Sequence, residues 1–316
     1  MDVKLMSNLC EAEPRTLLPG SECLYLRFYC TANNCDYLLR QVISPFVTSH
    51  RNRGAFTKWF FIRYGDPNWH LRLRFFGAPD RLLGEVLPYF TSVSKTAFEA
   101  KRLYKIDIGT YNRELERYGG KKAIVAAESL FEIDSEAVLK MLSIFISNEF
   151  LNDRWKIALV GVDSLLDDFG LNVADKMKMM TMLCAGFETE FKVGNAFKES
   201  LSRRFRIERP ELTRLLMKDG KRTALQSQGQ KILEWRSEKN KDAIEMLKIT
   251  YDEEIQGQTF NGIIGSMVHM HLNRLLRSAH RAQELVIYNF LLRLYRSMNA
   301  QGANSTTVLT GQVLTP

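Results

Sequence analysis

Arginines, one glutamate and a pair of histidines carry most of the chemistry that this 316-residue chain can offer. They fall in three blocks: His70-Leu71-Arg72-Leu73-Arg74, Arg113-Glu114-Leu115-Glu116-Arg117-Tyr118 and His269-Met270-His271-Leu272-Asn273-Arg274. A guanidinium presents a planar fork of donors that fits a carboxylate bidentately. Glu114 and Arg117 stand three apart, a salt-bridging distance on a helical turn, and that spacing alone describes an ordinary surface pair. Gly119-Gly120 just beyond implies a sharp turn holding Arg117 and Tyr118 in place. On a helix, His269 and Asn273 share a side, while His271 points elsewhere, toward Arg274. Taken alone, each histidine fits a structural role. An imidazole among arginines is disfavoured as a cation, however, which leaves a base usable near pH 7. A metal pair would favour histidines at i and i+4, and there is no Cys-x-x-Cys, so no metal site is expected.

The elements that must position these residues divide into two kinds. Residues 59–64 and 70–75 read as adjacent strands joined by the turn Gly65-Asp66-Pro67-Asn68. Alternation puts Leu71, Leu73 and Phe75 on one face and His70, Arg72 and Arg74 on the other, with Arg63 counted beside them on the neighbouring strand. An earlier strand over 24–29 adds Tyr25, Arg27 and Tyr29 to the cationic face, and a later one covers 103–108. Between them a helix follows Asn34 and ends before Pro45, and another starts at Pro79 and is kinked or broken at Pro88. The order β-α-β-β-α-β is the ferredoxin-like split arrangement, an α+β class with helices on one face of an antiparallel sheet. Aromatic and cationic residues together suggest that the other face is covered by the rest of the chain. From residue 121 the pattern is helical, including a methionine-rich stretch (177–187) that suits core filling. The segment 192–245 is strongly basic, and reads as either a solvated surface or a dock for an acidic partner. The division expected is a loose arm (1–20), an α+β part (21–120), a mainly helical part of the same unit (121–298) and a Gly/Ser/Thr-rich disordered tail (299–316).

A net charge of +8 favours anionic partners without specifying one. No apolar run reaches the length of a membrane span, and the N-terminus lacks a signal pattern, so a cytoplasmic protein is expected. Four of the five cysteines lie in the first 35 residues, and reduced thiols are the simplest reading. There is no Gly-x-Gly-x-x-Gly after a strand, no Walker loop, no Gly-x-Ser-x-Gly and no His-Glu-x-x-His, which removes the commonest nucleotide, hydrolase and metalloprotease classes.

Three blocks in order resemble one family. Trp59 to Phe75 is similar to the opening signature of the C-terminal domain of class I lanthipeptide dehydratases, a domain also found in thiopeptide-type bacteriocin biosynthesis proteins. Thr110 to Gly120, followed by Ala127-Glu128-Ser129-Leu130-Phe131 and Asp134-Ser135, resembles its second signature. His269 to Leu275, with Glu284 beyond, resembles its third, and the likeness extends from about Leu24 to Met298. The resemblance implies glutamate elimination: a partner activity esterifies Ser or Thr of a precursor peptide with glutamate from glutamyl-tRNA, and this domain removes the α-proton and expels glutamate. It also implies catalytic roles for Arg117, Glu114, one of Arg72 and Arg74 (Arg74 preferred), and one of His269 and His271 (His269 preferred). Substrate contacts would come from Arg63, His70, Arg72, Tyr118, Asn273 and Arg274. No cofactor is needed. Partners would be a leader-plus-core precursor peptide, a separate tRNA-dependent glutamylating protein and a downstream cyclase, with no direct nucleic-acid binding, as expected of a split dehydratase.

Two other classes compete. Family members in thiopeptide pathways join two dehydroalanines into a pyridine ring by a formal cycloaddition. A non-enzymatic peptide- or RNA-binding scaffold would use the basic surface and would weaken steeply with salt.

Overall fold

The computed structural model describes residues 14–144, 148–192, 194–217, 220–252 and 259–310. A short strand β1 (Thr16–Leu17) opens the described chain. The main sheet is antiparallel throughout and contains β2 (Cys23–Tyr29), β3 (Lys58–Tyr64), β4 (His70–Phe76) and β5 (Lys105–Gly109) in spatial order β3-β4-β2-β5. A two-residue strand β6 (Tyr111–Asn112) pairs with β1 in a separate ribbon. Alternation sends Leu24, Leu26, Phe28, Leu71, Leu73 and Phe75 to one face, where all are buried. Helices α1 (32–50) and α2 (79–99) cover that face, with Phe46 and Phe90 meeting the Phe75 ring at 5.5 and 5.3 Å.

Both prolines are accommodated inside their helices. A π-helical turn precedes each one, Leu39–Ile43 before Pro45 and Leu82–Val86 before Pro88. Each proline then occupies the first turn of the next α-helical segment, where a missing N–H costs little. The helix expected to end before Pro45 therefore runs on to His50.

The rest is helical: α3 (Ala123–Ile144), α4 (Asn148–Asp168), α5 (Val173–Glu190), α6 (Asn195–Leu216), α7 (Ala224–Thr250), α8 (Phe260–Leu275) and α9 (His280–Thr310). Side-chain caps mark several starts, such as Thr223 with Gln226 at α7 and Thr259 at α8. The buried residues of sheet and helices form one contiguous core. Of the arm expected over 1–20, residues 14–20 are described, and Thr16–Leu17 is paired there rather than loose. Likewise α9 continues to Thr310, into the expected tail; residues 1–13 and 311–316 lie outside the described residues.

The helical part grips the sheet by its edge. β3 is an outer strand, and three of its backbone N–H groups donate to helix side chains: Trp59 to Glu132 at 3.1 Å, Phe61 to Ser135 at 3.2 Å and Arg63 to Asn273 at 2.9 Å. Its carbonyls are met too, Phe61 by Arg274 Nε and Arg63 by Asn273 Nδ2, both at 2.8 Å. An edge that would otherwise present unpaired groups is closed.

Arg63 is not on the cationic face. Register pairs it with Leu71, whereas Arg72 and Arg74 pair with Ile62 and Phe60. Cross-strand partners share a face, so the Arg63 guanidinium lies on the α1 side, donating to Asp36 at 2.6 Å and to the Arg274 carbonyl at 2.9 Å. Arg154 of α4 donates to the same Asp36 carboxylate at 2.5 Å. Replacing Asn273 by Ala should leave a buried N–H and C=O on β3 unpaired and lower stability by about 1–3 kcal/mol. Urea denaturation checks this; an unchanged midpoint would contradict the edge-capping account.

Candidate active site

A cavity of about 350 Å³ opens between the cationic face of the sheet, the 110–120 loop and α8. The loop is held from both sides. Arg113 grips Glu128 of α3 with two hydrogen bonds, Nε at 2.8 Å and Nη2 at 2.9 Å, while its backbone N–H donates to the Arg15 carbonyl. Gly119 and Gly120 both take positive φ, 84° and 102°, and a Cβ on Gly119 would lie 2.9 Å from Ile263 of α8. This tight turn delivers Arg117 to the cavity wall. Its Nε donates to Ser266 of α8 at 3.3 Å and its Nη1 to Glu114 at 3.1 Å. Tyr118 lines the same wall, and burial pushes its phenol up to about 12, so it is neutral at ordinary pH.

On the sheet side, Arg74 is clasped by aromatic rings, its guanidinium carbon 4.4 Å from the Tyr111 centroid, 4.6 Å from Tyr25 and 5.2 Å from Phe60. Its Nε and Nη1 are buried and have no hydrogen-bond partner. Arg72 lies flat on Tyr64 at 3.4 Å, and its Nε donates to His70 Nε2 at 3.0 Å. The other His70 nitrogen donates to the Asn68 carbonyl, and burial lowers the histidine's pKa, so the imidazole is a neutral prop for Arg72. Among the described residues, the guanidiniums of Arg27, Arg72, Arg74 and Arg117 thus face this cavity with Glu114 as the carboxylate.

The two histidines of α8 part company. His269 lines the cavity, and its Nδ1 lies 3.0 Å from both oxygens of Glu284, whose side chain is fully buried. Nδ1 is thus the nitrogen paired with the carboxylate, and Nε2 is the one not engaged by Glu284. His271 is turned into the protein and is 1% exposed. Its Nδ1 donates to Asp134 at 2.7 Å, and Asp134 also accepts from Arg236 at 3.2 Å and Arg274 at 3.1 Å. Burial lowers the His271 pKa against the pull of Asp134, and the two guanidiniums already outnumber the one carboxylate; the imidazole is neutral. Burial alone would raise the Asp134 carboxyl, but His271, Arg274 and Arg236 together hold it well below its ordinary range.

Of the expected site residues, the structure brings together Arg72, Arg74, Glu114, Arg117, Tyr118, His269 and Asn273, the last with its amide committed to β3. His271 and Arg274 belong instead to the Asp134 cluster, His70 supports from behind, and the Arg63 guanidinium faces away. Two features went unread in the sequence. The ring clasp around Arg74 draws on Tyr25, Phe60 and Tyr111 from three strands. Arg236, counted in the basic segment, is completely buried and gives that segment an internal role.

A family model described as Lantibiotic biosynthesis dehydratase C-term matches residues 24–295. The chain belongs to this family. Among curated relatives, the nisin biosynthesis protein NisB of Lactococcus lactis subsp. lactis is 28% identical over 294 residues, covering 90% of this chain and 26% of its own length. The subtilin biosynthesis protein SpaB of Bacillus subtilis is 29% identical over 180 residues, 56% of this chain and 17% of its own. The chain therefore spans about a quarter or less of these relatives. Among solved structures, the tRNA-dependent lantibiotic dehydratase MibB from Microbispora sp. 107891 aligns with a TM-score of 0.65 at 23% identity over 89% of this chain and 29% of that one. The pyridine synthase TbtD from thiomuracin biosynthesis aligns at 0.54 and 12%, over 88% and 98%. Both likenesses show the fold. No described helix is long and apolar enough to cross a membrane, and the described residues contain no metal-binding cluster of His, Cys, Asp or Glu.

Two stability predictions follow from the Asp134 cluster. Gly161 of α4 packs directly on His271, and an added Cβ would lie 2.3 Å from its Nε2. Gly161→Ala should cost about 1–3 kcal/mol by overpacking, read by chemical denaturation. The acid dependence has a definite sign. An unfolded aspartate takes up its proton near 3.8 and the folded Asp134 only well below that. Its contribution is complete above about pH 5 and is lost progressively as pH falls through 4 and lower. Asp134→Asn should therefore flatten the stability profile between pH 5 and 3, and an unaltered slope would show that the carboxylate is not held as described.

Proposed function

We propose that this protein eliminates glutamate from glutamylated Ser or Thr residues of a precursor peptide, leaving dehydroalanine or dehydrobutyrine. The observation that carries the reading is His269, backed by buried Glu284, in a cavity also lined by Arg27 and Arg74, which have buried donors without a hydrogen-bond partner among the described residues. The α-proton of a peptide residue is weakly acidic, so a base and a cationic environment for the developing enolate are both needed. His269 Nε2 takes the Cα proton, and the negative charge that appears on the peptide carbonyl is met by a guanidinium. The Cα–Cβ double bond then forms as the Cβ–O bond breaks, and glutamate leaves as a carboxylate. Arg74 and Arg117 suit the leaving carboxylate, because one is desolvated among rings and the other is fixed by Ser266 and Glu114. Glu114 orients Arg117. The protonated His269 returns its proton to solvent or product.

The strand order β3-β4-β2-β5, with helices on one face, supports reading the N-terminal part as ferredoxin-like. The glutamylated peptide would come from a tRNA-dependent partner activity acting in the same cytoplasm, and a cyclase would consume the dehydrated product.

The test is mass spectrometry of a glutamylated Ser peptide, with its leader, incubated with the protein without ATP or tRNA. Loss of glutamate to a dehydrated product is expected. His269→Gln should slow it about 10²–10⁴-fold with the fold intact, whereas His271→Gln should act first on stability. A wild-type protein that leaves the glutamylated peptide untouched but joins two dehydroalanines into a pyridine ring would transfer the assignment to cycloaddition.

A further inference from the structure

Arg27 lines the cavity yet has no part in the elimination step. It sits on β2, the register partner of Arg72 on β4 and of Asp107 on β5. Residues directly opposite on one face of an antiparallel pair have Cβ atoms about 4.5–5.5 Å apart, and like charges so placed are destabilising. Asp107 attracts Arg27 from the far side, but among the described residues no carboxylate is hydrogen-bonded to either guanidinium of the pair. Asp107 is engaged by Lys105 at 2.9 Å, Arg72 Nε is committed to His70, and Arg27 Nε is buried without a partner. Nor can the pair readily splay apart, because Arg72 is stacked on Tyr64. Gly109, opposite Tyr25 on β5, makes the room: a Cβ there would lie 3.1 Å from the Tyr25 ring and 3.2 Å from Arg27 Nη2. The result is a pair of guanidiniums lining the cavity, with the nearest carboxylate, Asp107, held by Lys105 outside that lining. Arg74, at the reacting end, lies two residues along β4 from Arg72, roughly 6.6 Å by strand rise, a step that the two carboxyl groups of glutamate can bridge.

We infer that Arg27 and Arg72 form a second carboxylate subsite, which takes the carboxylate of the glutamyl group that is not in the ester, and that Arg27 thereby selects glutamyl over uncharged acyl groups. The inference rests on the elimination reading and adds to it a specificity residue. A neutral acyl group would leave the like charges of Arg27 and Arg72 facing one another across the cavity with no anion bound between them, so the discrimination comes from the cavity's own charge as well as from the bonds formed.

The experiment uses one Ser peptide esterified through the α-carboxyl with glutamate or with glutamine, which differ only in carboxylate against amide. The wild-type protein should favour the glutamyl ester in kcat/KM by about 10- to 100-fold, the range of a charged hydrogen-bond pair. Arg27→Gln should erase most of that ratio, and Arg27→Lys, which keeps the charge without the fork, should restore part of it. A wild-type ratio near one, or a ratio unchanged in Arg27→Gln whatever the absolute rates, overturns the subsite while leaving elimination intact. Calorimetric titration of the full chain with free glutamate and with free glutamine reads the subsite without turnover. If no protein eliminates either ester, the elimination reading fails. In that case glutamate binding that is weakened in Arg27→Gln still supports the subsite, and unchanged binding overturns it.

Discussion

The carboxylate of Asp134 is met by three side chains from two helices: His271 and Arg274 of α8, and Arg236 of α7. Asp134 itself belongs to α3, and Arg236 continues to the Gly161 carbonyl of α4 at 2.7 Å. Four helices thus converge on one buried anion, and Arg274 passes the constraint to the sheet through the Phe61 carbonyl. A charge buried this deeply is tolerable only because it is paired and hydrogen-bonded; removing one partner would leave the others uncompensated. The orientation of α8 is set by this cluster on its inner side. The same helix carries His269 on its outer side, so the position of the candidate base depends on a network that never touches the cavity.

The sheet contributes the opposite kind of environment. Arg74 is desolvated among rings with two unmatched donors, and Arg27 and Arg72 face each other across adjacent strands. Such an arrangement costs folding stability, in contrast to the Asp134 and Asp36 clusters, where the carboxylates are paired. The contrast separates the two populations of buried arginine. Arg63, Arg113, Arg154, Arg236 and Arg274 have carboxylate or carbonyl partners supplied by the chain. Arg74, and the partly buried Arg27 beside it, have no such partner among the described residues, and both line the cavity.

What could be read from the sequence was what depends on neighbours along the chain. Alternation within β4 placed Arg72 and Arg74 together, and the helical period separated His269 from His271. The face of Arg63 could not be read this way, because parity between two strands depends on their register, and a one-residue shift reverses it. Register here is set by the turn at 65–69, which pairs Tyr64 with His70. Arg236 was unreadable for a related reason. It lies 102 residues from Asp134, in a stretch whose charge density describes a surface, and nothing local marks this cation as one that turns inward. Pro45 and Pro88 misled because their ordinary effect on a helix is absorbed by a π-helical turn placed just before each.

The fold by itself does not choose between chemistries, since a tRNA-dependent dehydratase and a pyridine synthase both align with it. The choice must come from what the cavity asks of a substrate. Expelling glutamate leaves a dicarboxylate that needs cations at two points, together with a base for a weakly acidic proton. Joining two dehydroalanines expels no carboxylate, and it gives no reason to keep guanidiniums unpaired along β2 and β4. The four cavity-lining arginines and the carboxylate-backed histidine fit what the proposed elimination would ask of a site. For that reason the unfilled donors of Arg27 and Arg74 weigh more in the assignment than the fold they are built on.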